Sequence, residues 1–125
     1  MTSKMKLAVG VDIGGTNTVF GLVDAEGNCQ AQDAIKTGDY PVVEDFVSAV
    51  QERVKTLISD CNDPEIIGMG IGAPNANYYT GTIDYAPNLK WEGIVPLAAL
   101  FAEHFDFPVS LTNDANAAAM GERIY

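Results

Sequence analysis

The apolar run Leu7-Ala-Val-Gly-Val11 ends at Asp12 and passes at once into Gly14-Gly15-Thr16-Asn17. So short a run, closed by turn residues, reads as a buried strand entering a tight turn. A second strand is expected from Thr18 to Asp24. Ala25-Glu26-Gly27-Asn28 then turns the chain, and Cys29 to Lys36 returns as a third strand. The chain thus opens as an antiparallel meander of two hairpins.

At Pro41 the hydrophobic period changes. Val43, Phe46, Val47, Val50, Val54, Leu57 and Ile58 recur at three- and four-residue steps, which places them on one face of a helix. Pro41 suits its first turn, and Asn62-Asp63-Pro64 ends it. Ile66 to Ile71 follows as a buried strand reached through a helical crossover, so it is expected to lie parallel to the first. Asn77 to Tyr85 alternates aromatic and polar residues around Thr80-Gly81 and predicts a small projecting hairpin. A short amphipathic helix over Pro96 to Phe105, a strand over Phe107 to Thr112 and an Ala-rich helix from Ala115 complete the order. The helical pattern reaches Tyr125 without a stop signal. The fold class is α/β. The order βββαβ, then α, then βα, is that of one lobe of the actin-like, ribonuclease-H-like fold: a mixed five-stranded sheet with helices on both faces and the small hairpin projecting.

With 125 residues, 47% of them hydrophobic, the chain suffices for one core and one domain. Seven basic against 17 acidic residues give a net charge of -10, which argues against general affinity for nucleic acid or anionic membrane. Any phosphate must be held locally. The six residues before Leu7 are too few for a signal peptide, and no apolar run is long enough to span a membrane, so a cytoplasmic location is expected. Cys29 and Cys61 form no CxxC and read as reduced thiols.

The segment Asp12-Ile-Gly-Gly-Thr-Asn17 joins two strands through a turn with two successive positions lacking a side chain, so backbone N–H groups can meet an anion closely. Asp12 suits Mg²⁺ held through water, and Thr16 and Asn17 offer donors to phosphate oxygens. The plainer alternative is a glycine hairpin in which Asp12 bonds the turn. A P-loop is excluded because no GK[ST] follows. Gly68-Met-Gly70-Ile-Gly72-Ala73 fits the dinucleotide fingerprint only nominally, since Pro74-Asn75 follows where a helix must open. Its small residues serve either close approach of a ligand or close backbone packing. Asn113-Asp114 stands between a strand and a helix, where open α/β sheets bind ligands. Asp114 is a candidate base for a sugar hydroxyl and Asn113 a candidate hydroxyl partner, and both also suit a helix N-cap, the reading that position alone favours. Asn88 is either a hydroxyl partner or the head of an Asx-turn after Pro87. Trp91 reads as a core anchor, His104 as a helix-end residue without a catalytic role, and Glu44, Asp45 and Glu52 as a solvated face.

Taken together, Asp12-Ile-Gly-Gly-Thr-Asn17, Gly70-Ile-Gly-Ala-Pro74, Ala86-Pro-Asn-Leu-Lys-Trp91 and Thr112-Asn-Asp-Ala-Asn-Ala-Ala-Ala119 closely resemble the ordered motifs of the repressor/ORF/kinase (ROK) family, and of its glucokinases in particular. The resemblance covers nearly the whole chain. It implies ATP phosphates at Gly14, Gly15, Thr16 and Asn17, the sugar at Asn88 and Asn113, and Asp114 as the general base that activates the sugar 6-hydroxyl. Glucose leads as substrate, ahead of N-acetylated hexosamines, mannose, fructose and allose. Two residues depart from the family pattern: Asn75 stands where Pro-Gly is usual, and Thr112 where a glutamate commonly precedes Asn-Asp. Asn tolerates a left-handed conformation, so the turn is expected to survive. The family's C-terminal half carries the adenosine site, further Glu and His sugar ligands and a His/Cys zinc site. Residues 1–125 are therefore expected to form the N-terminal lobe only, with the last helix cut, inactive alone and prone to self-associate. A natural non-catalytic sugar- or partner-binding lobe is the alternative. A sugar-responsive repressor is disfavoured, because no helix-turn-helix precedes Leu7.

Overall fold

A computed structural model describes residues 5–113. Strands β1 (Lys6–Ile13), β2 (Asn17–Val23) and β3 (Cys29–Lys36) form the expected meander. After a 3-10 turn at Thr37–Asp39 comes helix α1 (Val43–Asp60), then β4 (Glu65–Gly72). A small sheet of β5 (Ala76–Asn77), β6 (Thr82–Asp84) and β7 (Ile94–Val95) follows, and α2 (Leu97–Ala102) leads to β8 (Val109–Thr112). The main sheet has the order β3-β2-β1-β4-β8, with β4 parallel to β1 and β8 parallel to β4.

Side-chain alternation assigns the two faces. Val9, Val11, Phe20, Leu22, Met69, Ile71 and Leu111 are all buried on one face, under Phe46, Val47, Val50 and Val54 of α1 and Leu97 and Phe101 of α2. The rings of Phe46 and Phe101 meet edge-on at 6.3 Å, so both helices cover this same face. The helix expected from Ala115 falls outside the described residues. A bulge between Leu7 and Val9, where β4 advances one extra residue, restores the register and sets Gly70 beside Gly10 and Gly72 beside Asp12 on the opposite face.

That face is built for close backbone approach. A Cβ on Gly21 would lie 2.7 Å from the Ala31 carbonyl oxygen. Gly21→Ala is therefore expected to force β2 and β3 apart and cost about 1–3 kcal/mol, read as a lowered Tm. An unchanged Tm would show that the strands yield freely there.

The differences from expectation have local causes. Pro41 lies ahead of the helix, whose N-cap is Val42. The expected helix over Pro96 to Phe105 stops at Ala102, and Phe105 and Phe107 stack at 4.8 Å instead of continuing it. Pro108 disfavours helical backbone before it and gives no ladder N–H, so β8 begins one residue later, at Val109. The projecting hairpin is present as β5–β6 and gains β7 as a third strand.

Candidate functional site

Because β1, β4 and β8 are parallel, their carboxyl ends share one edge of the sheet. There Asp12 pairs with Gly72 and Gly72 with Thr112, all three on the face turned from the core. Neighbouring strands lie about 4.8 Å apart, so Asp12 and Thr112 stand about 10 Å from each other across a floor formed by Gly72. Asp12 is exposed and Thr112 buried.

The glycine turn rises from this edge. The Gly14 N–H donates to the Asn17 carbonyl at 2.9 Å, and the Thr16 carbonyl accepts from the Thr37 N–H at 2.9 Å. Those two groups are committed to the turn itself. The N–H groups of Gly15 and Thr16, the Thr16 hydroxyl, the Asn17 amide and the Asp12 carboxylate make no hydrogen bond among the described residues. Gly15, Thr16 and Asn17 are exposed. Asp12 therefore does not bond the turn, and the donors left over point to an anion cradle centred on Gly15 and Thr16. Neither glycine has a positive φ; both are required by space. A Cβ on Gly14 would sit 2.9 Å from the Asn17 oxygen, and one on Gly15 would sit 3.0 Å from the Asn88 oxygen and 3.3 Å from the Asn88 Cβ.

That contact brings the Asn88 loop against the glycine turn. The loop is shaped by a Leu89 N–H bond to the Ala86 carbonyl at 3.3 Å, while the Asn88 side chain is exposed and makes no hydrogen bond among the described residues. No Asx-turn forms. Leu89 and Trp91 are buried beside it, Trp91 against Phe46 at 4.6 Å, which confirms the anchor role of the indole.

Asn113 faces a different wall. With Thr112, Asp84 and the turn Asn75–Tyr79 it lines a cavity of about 570 Å³. Asn88 is not among the described residues that line this cavity; its contact with Gly15 sets it at the same edge of the fold. Asp114 lies outside the described residues. Asn75 adopts φ 56° and replaces what a glycine offers there, and its Nδ2 also donates to the carbonyls of Asp84 and Tyr85 at 3.0 and 3.1 Å. Asn75→Ala is expected to cost about 1–2 kcal/mol through lost hydrogen bonds and a strained φ, and Asn75→Gly less. Thermal denaturation that ranks the two variants the other way would show that the positive φ carries no strain, and a Tm unchanged in both would show that the amide clamp contributes nothing.

Sequence reasoning missed the clamp at Asn75, the aromatic wall of Tyr78 and Tyr79, and the contact of Gly15 with Asn88. Only the departure from Pro-Gly hinted at the first. One uncommitted carboxylate, Asp12, stands beside the turn and has the oxygen chemistry to hold a hard cation such as Mg²⁺ through water; the described residues contain no cluster of three metal-binding side chains. Among the described residues no helix is long and apolar enough to cross a membrane.

A five-stranded mixed sheet with a glycine turn after β1 and a polar pocket after β8 defines the class as an actin-like ATPase lobe. A family model described as "ROK family" matches residues 8–125, and the chain belongs to that family. It is 39% identical over 122 residues to the glucokinase of Streptomyces coelicolor, covering 94% of this chain and 36% of that one. The crystal structure of a ROK family glucokinase from Streptomyces griseus in complex with glucose and AMPPNP aligns with a TM-score of 0.72 and 33% identity, over 94% of this chain and 36% of that one. The xylose repressor of Caldicellulosiruptor bescii is 46% identical over 59 residues, 46% of this chain and 14% of that protein. The chain thus spans about a third of the length of the glucokinases it matches.

Proposed function

We propose that this lobe serves an ATP-dependent hexose kinase, with glucose the first candidate substrate, converted to glucose 6-phosphate. The observation that carries this reading is the convergence, at one sheet edge, of an anion turn with uncommitted donors and an asparagine loop pressed against it at Gly15. Phosphoryl transfer asks a protein mainly for positioning and for stabilisation of charge. In this reading the Gly15 and Thr16 N–H groups, the Thr16 hydroxyl and the Asn17 amide hold phosphate oxygens, with Gly14 shaping the turn. Asp12 would hold Mg²⁺ through water, and the cation would supply neutralisation of phosphate charge. Asn88 and Asn113 orient sugar hydroxyls, and Asp114 takes the proton of the 6-hydroxyl as it attacks.

The relatives' greater length supports a second lobe that supplies the adenosine site and the remaining sugar ligands, along with any structural zinc, and closes over both substrates. Likeness to a xylose repressor favours a second reading, in which the same pocket binds a sugar as an effector. A hexose panel separates the two when ADP release and sugar binding are followed together on protein comprising both lobes. Hexose-dependent ADP release supports the kinase. Saturable sugar binding with no ADP release in any hexose supports the effector site.

A further inference from the structure

The turn Thr37–Asp39 and the residue after it bond to both of the loops assigned above. On one side the Thr37 N–H donates to the Thr16 carbonyl at 2.9 Å, and the Thr37 and Thr18 hydroxyls pair at 2.7 Å, both residues buried. On the other side the Gly38 carbonyl accepts from Lys90 Nζ at 2.8 Å and the Tyr40 carbonyl from Trp91 Nε1 at 2.9 Å. The segment is stiff, because the Tyr40 N–H closes it on the Thr37 carbonyl at 3.1 Å. The circle is completed where Gly15 meets Asn88.

Neither loop has much internal restraint. The glycine turn is closed by the single Gly14–Asn17 bond and the asparagine loop by the long Leu89–Ala86 bond. Their separation is therefore fixed from outside. We propose that residues 37–40 form a strap that sets the distance between the phosphate turn and the Asn88 loop, which makes Thr37, Lys90 and Trp91 positioning residues for phosphoryl transfer. The catalytic part of this rests on the functional reading above; the mechanical part rests on the hydrogen bonds alone.

Lys90→Met and Trp91→Phe each remove one strap bond, the latter while retaining an aromatic ring against Phe46. In protein comprising both lobes, each is expected to lower kcat about three- to tenfold, the range a lost hydrogen bond implies, and to raise KM for nucleotide and sugar together. Lys90→Arg, which keeps a donor, is expected to restore most of the loss. Amide hydrogen exchange read residue by residue supplies the arm that needs no activity: the hydrogen-bonded amides of Gly14, Thr37 and Leu89 should exchange faster in both variants, with the interior of α1 unchanged. Faster exchange at the phosphate turn supports the strap even if the wild-type protein turns over no hexose, an outcome that would sink only the kinase reading. Unchanged exchange at Gly14 and Thr37 overturns the strap. A rise in nucleotide KM alone in Lys90→Met, with Trp91→Phe silent, overturns it in favour of a direct lysine–phosphate contact.

Discussion

Asp114→Asn is expected to lower kcat by about 10²- to 10⁴-fold in protein comprising both lobes, the usual worth of a general base, with a much smaller change in sugar KM. The residue directly follows Asn113, which lines the cavity at the carboxyl edge of β8. Asn is chosen because it caps a helix about as well as Asp, so a purely structural role would survive the change. A normal kcat in the variant would reduce Asp114 to a cap. A lost kcat with an unchanged Tm would identify it as the base.

Gly15→Val is expected to damage sugar use and nucleotide use alike. From the sequence alone, the effect of a side chain at this position would be ascribed to a blocked phosphate. The structure adds a second victim, since the new Cβ would press on the Asn88 carbonyl at 3.0 Å, and backbone cannot rotate out of the way. Displacing the loop by a sizeable fraction of an ångström misaligns the two substrates, and misplacement on the scale of 1 Å costs about 10²-fold in rate. The expected signature is a fall in kcat/KM of that order for both substrates, with Gly15→Ala intermediate. A defect confined to nucleotide KM would show that the Asn88 loop moves aside without consequence.

The elements that were legible in the sequence are those with strong punctuation. Strand β3 has the expected bounds, Cys29–Lys36, because Gly27 at φ 84° sets its start and Thr37 begins the 3-10 turn. Helix α1 ends where Asn62-Asp63-Pro64 was expected to end it, with Asn62 and Asp63 both at positive φ. Strand β7 was illegible because two residues carry no period. The site was legible as types and as motifs, but not as an arrangement. Nothing local in Gly38 or Tyr40 announces a bond to a residue 52 or 51 positions away. Nor does a pair of glycines reveal which N–H remains for a ligand, since that depends on the turn committing Gly14 and sparing Gly15 and Thr16.

In the proposed reaction this edge aligns a nucleotide phosphoryl group with the 6-hydroxyl of a hexose. That alignment is read by phosphorus NMR of the product formed from ATP, Mg²⁺ and glucose by protein comprising both lobes, run beside 6-deoxyglucose. The expected result is a glucose 6-phosphate signal that grows with ADP, and none from 6-deoxyglucose even though it binds. No sugar phosphate from glucose or any other hexose, or phosphate placed on a different hydroxyl, would contradict it.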